Sequence, residues 1–147
     1  MNALGQVMRR SLWAGFGAAA LLVAGCASGG SSGGGTPVTL SGSQEVPPVT
    51  TSASGSGTIT VGADMSVSGS VTTTGINGTA AHIHMAAAGV NGPVIVPLVK
   101  TGDGVWSVPA GAKFTEPQYL AYKAGSTYVN VHSDANKGGE IRGQLKP

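Results

Sequence analysis

Thr79-Ala80-Ala81-His82-Ile83-His84-Met85 is the stretch on which the reading of the fold turns. In extended chain, successive side chains point to opposite faces. His82 and His84 then share one face, and Ala81, Ile83 and Met85 share the other. Apolar and polar residues alternating at period two mark a half-buried β-strand. This strand carries two of the three histidines in the chain.

Working outward, the same alternation recurs between turn residues. Upstream, Val38 and Leu40 flank Thr39, Ile59 and Val61 share a face in Ser56 to Val61, and Val67 and Val71 are in phase in Ser66 to Thr74. Gly62-Ala63-Asp64 and Gly75-Ile76-Asn77-Gly78 supply the turns. Gln44-Glu45-Val46-Pro47-Pro48 cannot be a central strand, because proline lacks the donor a ladder needs. It reads as a rigid edge bend in which Glu45 caps a neighbouring donor. Downstream, Val94 to Lys100 is an almost unbroken apolar run and predicts a buried strand, with Pro97 marking an edge or a bulge. Val105 to Val108, Thr127 to His132 and Glu140 to Leu145 complete the set.

One segment changes period. Thr115 stands at an N-cap position with Gln118 three residues on, Pro117 lies in the first turn, and Gly125 sits where a helix ends. The pattern predicts one short helix near residues 115–124, with Tyr119 and Tyr122 as one packing and one exposed ring. Short, evenly spaced strands with a single helix predict an all-β domain over residues 37–147. The expected architecture is an antiparallel β-sandwich, immunoglobulin-like or Greek-key, of about seven or eight strands.

The chain before residue 37 is of another kind. Arg9-Arg10 precede an apolar run from Leu12 to Ala24, too short to span a bilayer and laid out as a secretory leader over residues 1–25. The run ends in Val23-Ala24-Gly25-Cys26, which resembles a bacterial lipobox. Cys26 is the only cysteine of the chain, so no intrachain disulfide exists; the lipobox resemblance implies lipidation, and the alternative is an ordinary signal peptide with a stray cysteine. Residues 26–36 are then the lipidated cysteine and a Gly/Ser tether, whose ten residues after Cys26 span on the order of 15–20 Å as a coil. Removal of the leader takes away Arg9 and Arg10, leaving six Lys and Arg against six Asp and Glu. Nucleic acid, which needs a basic stripe, is excluded as a partner. Membrane attachment must come from acyl chains at about 0.8 kcal/mol per buried methylene. The expectation is an exported protein, lipid-anchored in the cell envelope, and Ala27 after the cysteine resembles the outer-membrane sorting pattern of lipoproteins.

Strand phase brings the chemistry together. Val129 and Val131 face the core, which turns Tyr128, Asn130 and His132 outward. Ile141 and Leu145 do the same for Glu140, Arg142 and Gln144. With the strands as neighbours, His82, His84 and His132 form one polar patch with Asn130, Glu140 and Arg142. Two readings stand side by side: three imidazoles that hold a transition-metal ion, copper or zinc among them, or a hydrogen-bonded network that fixes strand register. Met85 lies on the opposite face and could join the first only if the strand ends at His84. No phosphate loop, nucleophile elbow or paired-carboxylate site occurs, so the chain reads as a binding module rather than an enzyme.

Four motifs carry a family resemblance: Leu40-Ser41-Gly42-Ser43-Gln44-Glu45-Val46-Pro47-Pro48, Ala81-His82-Ile83-His84, Tyr128-Val129-Asn130-Val131-His132 and Gly139-Glu140-Ile141-Arg142-Gly143-Gln144. Together they resemble the CHRD domain, from about Thr36 to Leu145. The resemblance implies an extracytoplasmic β-sandwich module with no established reaction, and fits a partner that is an envelope protein or a glycan. Met85 departs from it, since a glycine often follows the histidine pair in relatives. A more distant likeness is to the copper side of copper–zinc superoxide dismutase. That likeness would make His82, His84 and His132 ligands and Arg142 an anion guide, although the bridging histidine, the zinc ligands and the cysteine pair are missing here.

Overall fold

A computed structural model of the chain describes residues 34–147. The leader over 1–25, Cys26 and tether residues 27–33 lie outside the described residues. Among those described, no helix is long and apolar enough to cross a membrane.

The strands are β1 (Thr36–Ser41), β2 (Ser54–Val61), β3 (Val67–Thr74), β4 (Gly78–His84), β5 (Val94–Pro97), β6 (Val99–Gly102), β7 (Val105–Ser107), β8 (Thr127–Ser133) and β9 (Ile141–Leu145), with one helix, α1 (Glu116–Lys123). They form a single antiparallel sheet in the order β5-β4-β8-β9-β1-β2-β3-β7-β6. β5 and β6, at opposite ends of that order, are successive pieces of one stretch of chain. They are parted only by Leu98, whose N–H donates to the Ala81 carbonyl on β4 at 2.9 Å. The ends of the sheet therefore meet, and the expected two-layer sandwich of about seven or eight strands is corrected to a nearly closed, barrel-like sheet of nine. Closure removes the exposed edges that a sandwich would leave to pair with other chains.

The segment that closes the barrel also departs from its predicted burial. Val94 and Val99 are about half exposed, while Val96 and Leu98 point inward, so the run is a two-faced stave rather than a buried strand. Pro97 ends β5, as its missing donor requires.

The interior follows the period-two reading. Leu40, Ile59, Val71, Ile83, Val129, Val131, Ile141 and Leu145 are fully buried, and Ala81, Trp106 and Phe114 pack with them. Burying each of the larger aliphatic side chains contributes about 1.5–3 kcal/mol. Across β4, β8 and β9 the inward residues lie in cross-strand rows, Ala81 opposite Val131 and Val131 opposite Ile141. The helix begins and ends where its caps predict: the Thr115 N–H donates to Gln118 Oε1 at 2.8 Å, and Gly125 takes φ +69°. Tyr122 is buried and its hydroxyl bonds Thr36 Oγ1. Tyr119 packs partly on the core with Lys123 Nζ 4.6 Å above its ring.

Candidate metal centre

β4 pairs with β8, and β8 with β9, so the three strands that carry the polar residues are neighbours. Register sets His82 opposite Asn130 and Asn130 opposite Arg142 in one row, and His84 opposite Tyr128 and Tyr128 opposite Gln144 in the next. One ring nitrogen from each of His82, His84 and His132 lies within 4.8 Å of the other two.

Hydrogen bonds decide where the imidazole lone pairs point. His84 Nδ1 lies 2.9 Å from the Gly92 carbonyl, and His132 Nδ1 lies 2.9 Å from the Lys137 carbonyl. A carbonyl only accepts, so both Nδ1 atoms carry protons and both neutral rings present a bare Nε2. His82 Nδ1 donates to His132 Nε2 across 3.0 Å. His84 Nε2 is buried and has no partner. Burial, then the nearby His132 and His84, push the His82 pKa below the ordinary histidine value. Burial does the same to His84, against an opposing pull from the Gly92 carbonyl and the nearby Asn130 side chain. Both rings therefore stay neutral at neutral pH, the form that a metal ion requires.

The spacing suits an ion. Nitrogens about 2.0 Å from one metal, at angles between square and tetrahedral, stand roughly 2.9–3.3 Å apart. The 3.0 Å between His82 and His132 already has that value. The full spread of 4.8 Å exceeds what one ion spans, so coordination draws at least one ring inward. His82 must also move its proton from Nδ1 to Nε2 before Nδ1 can ligate.

The outer face is not the solvent-exposed surface that strand phase predicts. Loop residues 85–93 lie over it: Gln144 Nε2 donates to the Ala86 carbonyl at 2.9 Å, Arg142 to the Ala87 carbonyl at 3.1 Å, and the Gly92 N–H to the Tyr128 hydroxyl at 3.2 Å. Tyr128, Asn130 and Arg142 are buried as a result. The Tyr128 ring stacks on His84, with centroids 4.8 Å apart and planes 3° from parallel. Arg142, arriving from the opposite neighbouring strand, sets its guanidinium carbon 3.4 Å from the Tyr128 centroid. Tyr128 therefore separates the Arg142 guanidinium from the histidines. Glu140 leaves the histidine patch as well: its carboxylate accepts from Thr51 at 2.7 Å and from Ser133, and these two bonds hold its pKa below the usual carboxylate range. Met85 stands past the end of β4, where pairing with β5 shifts register between Ile83 and His84.

Sequence reasoning missed two contributors. Glu45, read as capping a neighbouring donor at an edge bend, is buried, and its Oε1 has no partner. Burial pushes its pKa up, against Arg142, Asn130 and the Val46 backbone. The Gly92 carbonyl accepts from His84 Nδ1 and the Gly92 N–H donates to the Tyr128 hydroxyl; Asn91-Gly92-Pro93 signals a turn and nothing more.

The family can now be stated from a match as well as from motifs. The model described as CHRD domain matches residues 36–145. The chain belongs to the CHRD domain family. The match takes in every strand from β1 to β9, and thus all of the CHRD residues gathered at the histidine cluster. No curated protein and no solved structure matches the chain.

Proposed function

We propose that this CHRD protein is an exported, lipid-anchored module of the cell envelope that binds its ligand without transforming it, and that the ligand is a transition-metal ion at His82, His84 and His132. The observation that carries the metal reading is the cluster itself: three imidazoles with one nitrogen each within 4.8 Å of the others, two with their lone pairs set by the Gly92 and Lys137 carbonyls. The anchor rests on Val23-Ala24-Gly25-Cys26 and the tether that follows.

Calorimetric titration of the full-length protein with copper and with zinc tests the metal reading, with His82→Ala and His132→Ala as controls. The expected result is one ion per chain, bound more tightly than about micromolar and lost in both variants. No binding, or equal binding by the variants, would end it. The anchor predicts that Cys26→Ser moves the protein from the detergent phase to the aqueous phase.

A second reading, recognition of an envelope protein or a glycan, is favoured by a cleft of about 390 Å³. Ser43, Gln44, Glu45, Arg142 and Gln144 line it alongside Val46 and Pro48. Deletion of the domain without change in envelope assembly or binding would count against this reading.

A further inference from the structure

Three imidazoles leave a four-coordinate ion one ligand short. Asn130 is placed to supply it. Its side chain springs from the residue opposite His82 and two residues before His132 on the same strand, so it rises on the same face between them. It is only 2 % exposed, and its Oδ1 has no hydrogen-bond partner.

The other end of the amide points elsewhere. A Cβ on Gly139 would lie 2.6 Å from Asn130 Nδ2 and 2.5 Å from Glu45 Oε1, so both atoms border the space that this glycine leaves open. Nδ2 thus faces the Glu45 carboxylate, an acceptor, and Oδ1 is turned toward the histidines. Two buried acceptors, His84 Nε2 and Asn130 Oδ1, then stand unpartnered at one cluster. A buried acceptor without a donor has lost its hydration with nothing in return. An ion between them satisfies both at once.

We propose that Asn130 Oδ1 is the fourth protein ligand of the site, which takes a divalent ion of the zinc type in a three-nitrogen, one-oxygen set in preference to a cuprous ion. The proposal rests on the three-histidine reading. An amide oxygen is a hard donor and imidazole a borderline one, and the combination suits a divalent ion, whereas cuprous ions favour the sulfur of thiolates and thioethers. Glu45 is the positioning residue, keeping the amide from turning over.

Cobalt(II) titration of the full-length protein, followed by its visible absorption and by zinc competition, tests this with Asn130→Ala, Asn130→Asp and His132→Ala. Loss of a ligand or its support costs about 10–100-fold in affinity. The expected result is that Asn130→Ala weakens cobalt and zinc by that factor and changes the cobalt spectrum. Asn130→Asp made together with Glu45→Gln, which keeps an oxygen at the same place and a donor facing it instead of a second carboxylate, restores tight binding and guards against a fold defect in the alanine variant. Unchanged affinity and spectrum in Asn130→Ala, with binding abolished in His132→Ala, would overturn the Asn130 assignment alone. Weaker binding with an unchanged spectrum and no rescue by aspartate would also overturn it, as a purely structural effect. No cobalt or zinc bound by the unaltered chain would remove the three-histidine reading, and this inference with it.

Discussion

The two faces of β4, β8 and β9 are built from the same three strands by different rules. The inward face is an aliphatic surface of Ala81, Ile83, Val129, Val131, Ile141 and Leu145, filled by the side chains of the rest of the barrel. The outward face is partly covered, with His84, Tyr128, Asn130 and Arg142 buried and His82, His132 and Gln144 half-buried, and hydrogen bonds join it to the chain that lies over it. Apolar packing tolerates shape changes at a graded cost, whereas a buried polar layer requires each donor and acceptor to be answered. A face of the second kind carries recognition, and one of the first carries stability.

The contrast breaks most visibly at Ile83, between the two histidines. Ile83→Ala is expected to cost about 2–5 kcal/mol by cavity formation, measured by denaturant unfolding, while the folded fraction binds metal as before. Equal loss of metal affinity per folded molecule would show that the two faces are not separable. Arg142→Met comes next. It keeps much of the packing over Tyr128 but removes the donors to the Ala87 carbonyl, Asn91 and Gln144. These bonds are part-buried, and each contributes about 0.5–1.5 kcal/mol net. Faster amide exchange confined to residues 85–93 would mark the outer layer as the part released.

The smallest effect is read from pH. The Glu140 pKa is lowered in the folded chain by Ser133 and Thr51. Its stabilising share is therefore complete above the unfolded carboxylate value of about 4.3 and is lost as pH falls through the lower folded value. Glu140→Gln should flatten the acid limb of the melting temperature against pH in that window. A limb of unchanged slope would assign acid sensitivity to other groups.

The inward face was legible because it depends on period two alone: Val129, Val131, Ile141 and Leu145 declare themselves one strand at a time. The helix was legible for the same reason, its signals at Thr115, Gln118 and Gly125 being local. The grouping of three histidines followed once phase was combined with adjacency. What phase could not convey was cover. Tyr128 and Arg142 point away from the core yet are buried, because residues 85–93, far away in sequence, lie across them. Glu45 reads as a surface bend for the same reason, its burial depending on strands and loops up to about a hundred residues distant. Barrel closure was hidden because the closing segment alternates exposed Val94 and Val99 with buried Val96 and Leu98, so composition made it look uniformly interior.

That closing segment has a dynamic consequence. A cylinder completed by one stave, half paired to β4 and half to β7, parts with least loss of backbone bonds at the junction of the halves. The Leu98 amide spans that junction, and Trp106 is buried on β7, the strand that pairs with β6. Breathing of the barrel would thus reach an indole first, and the exchange rate at Leu98 is its clock.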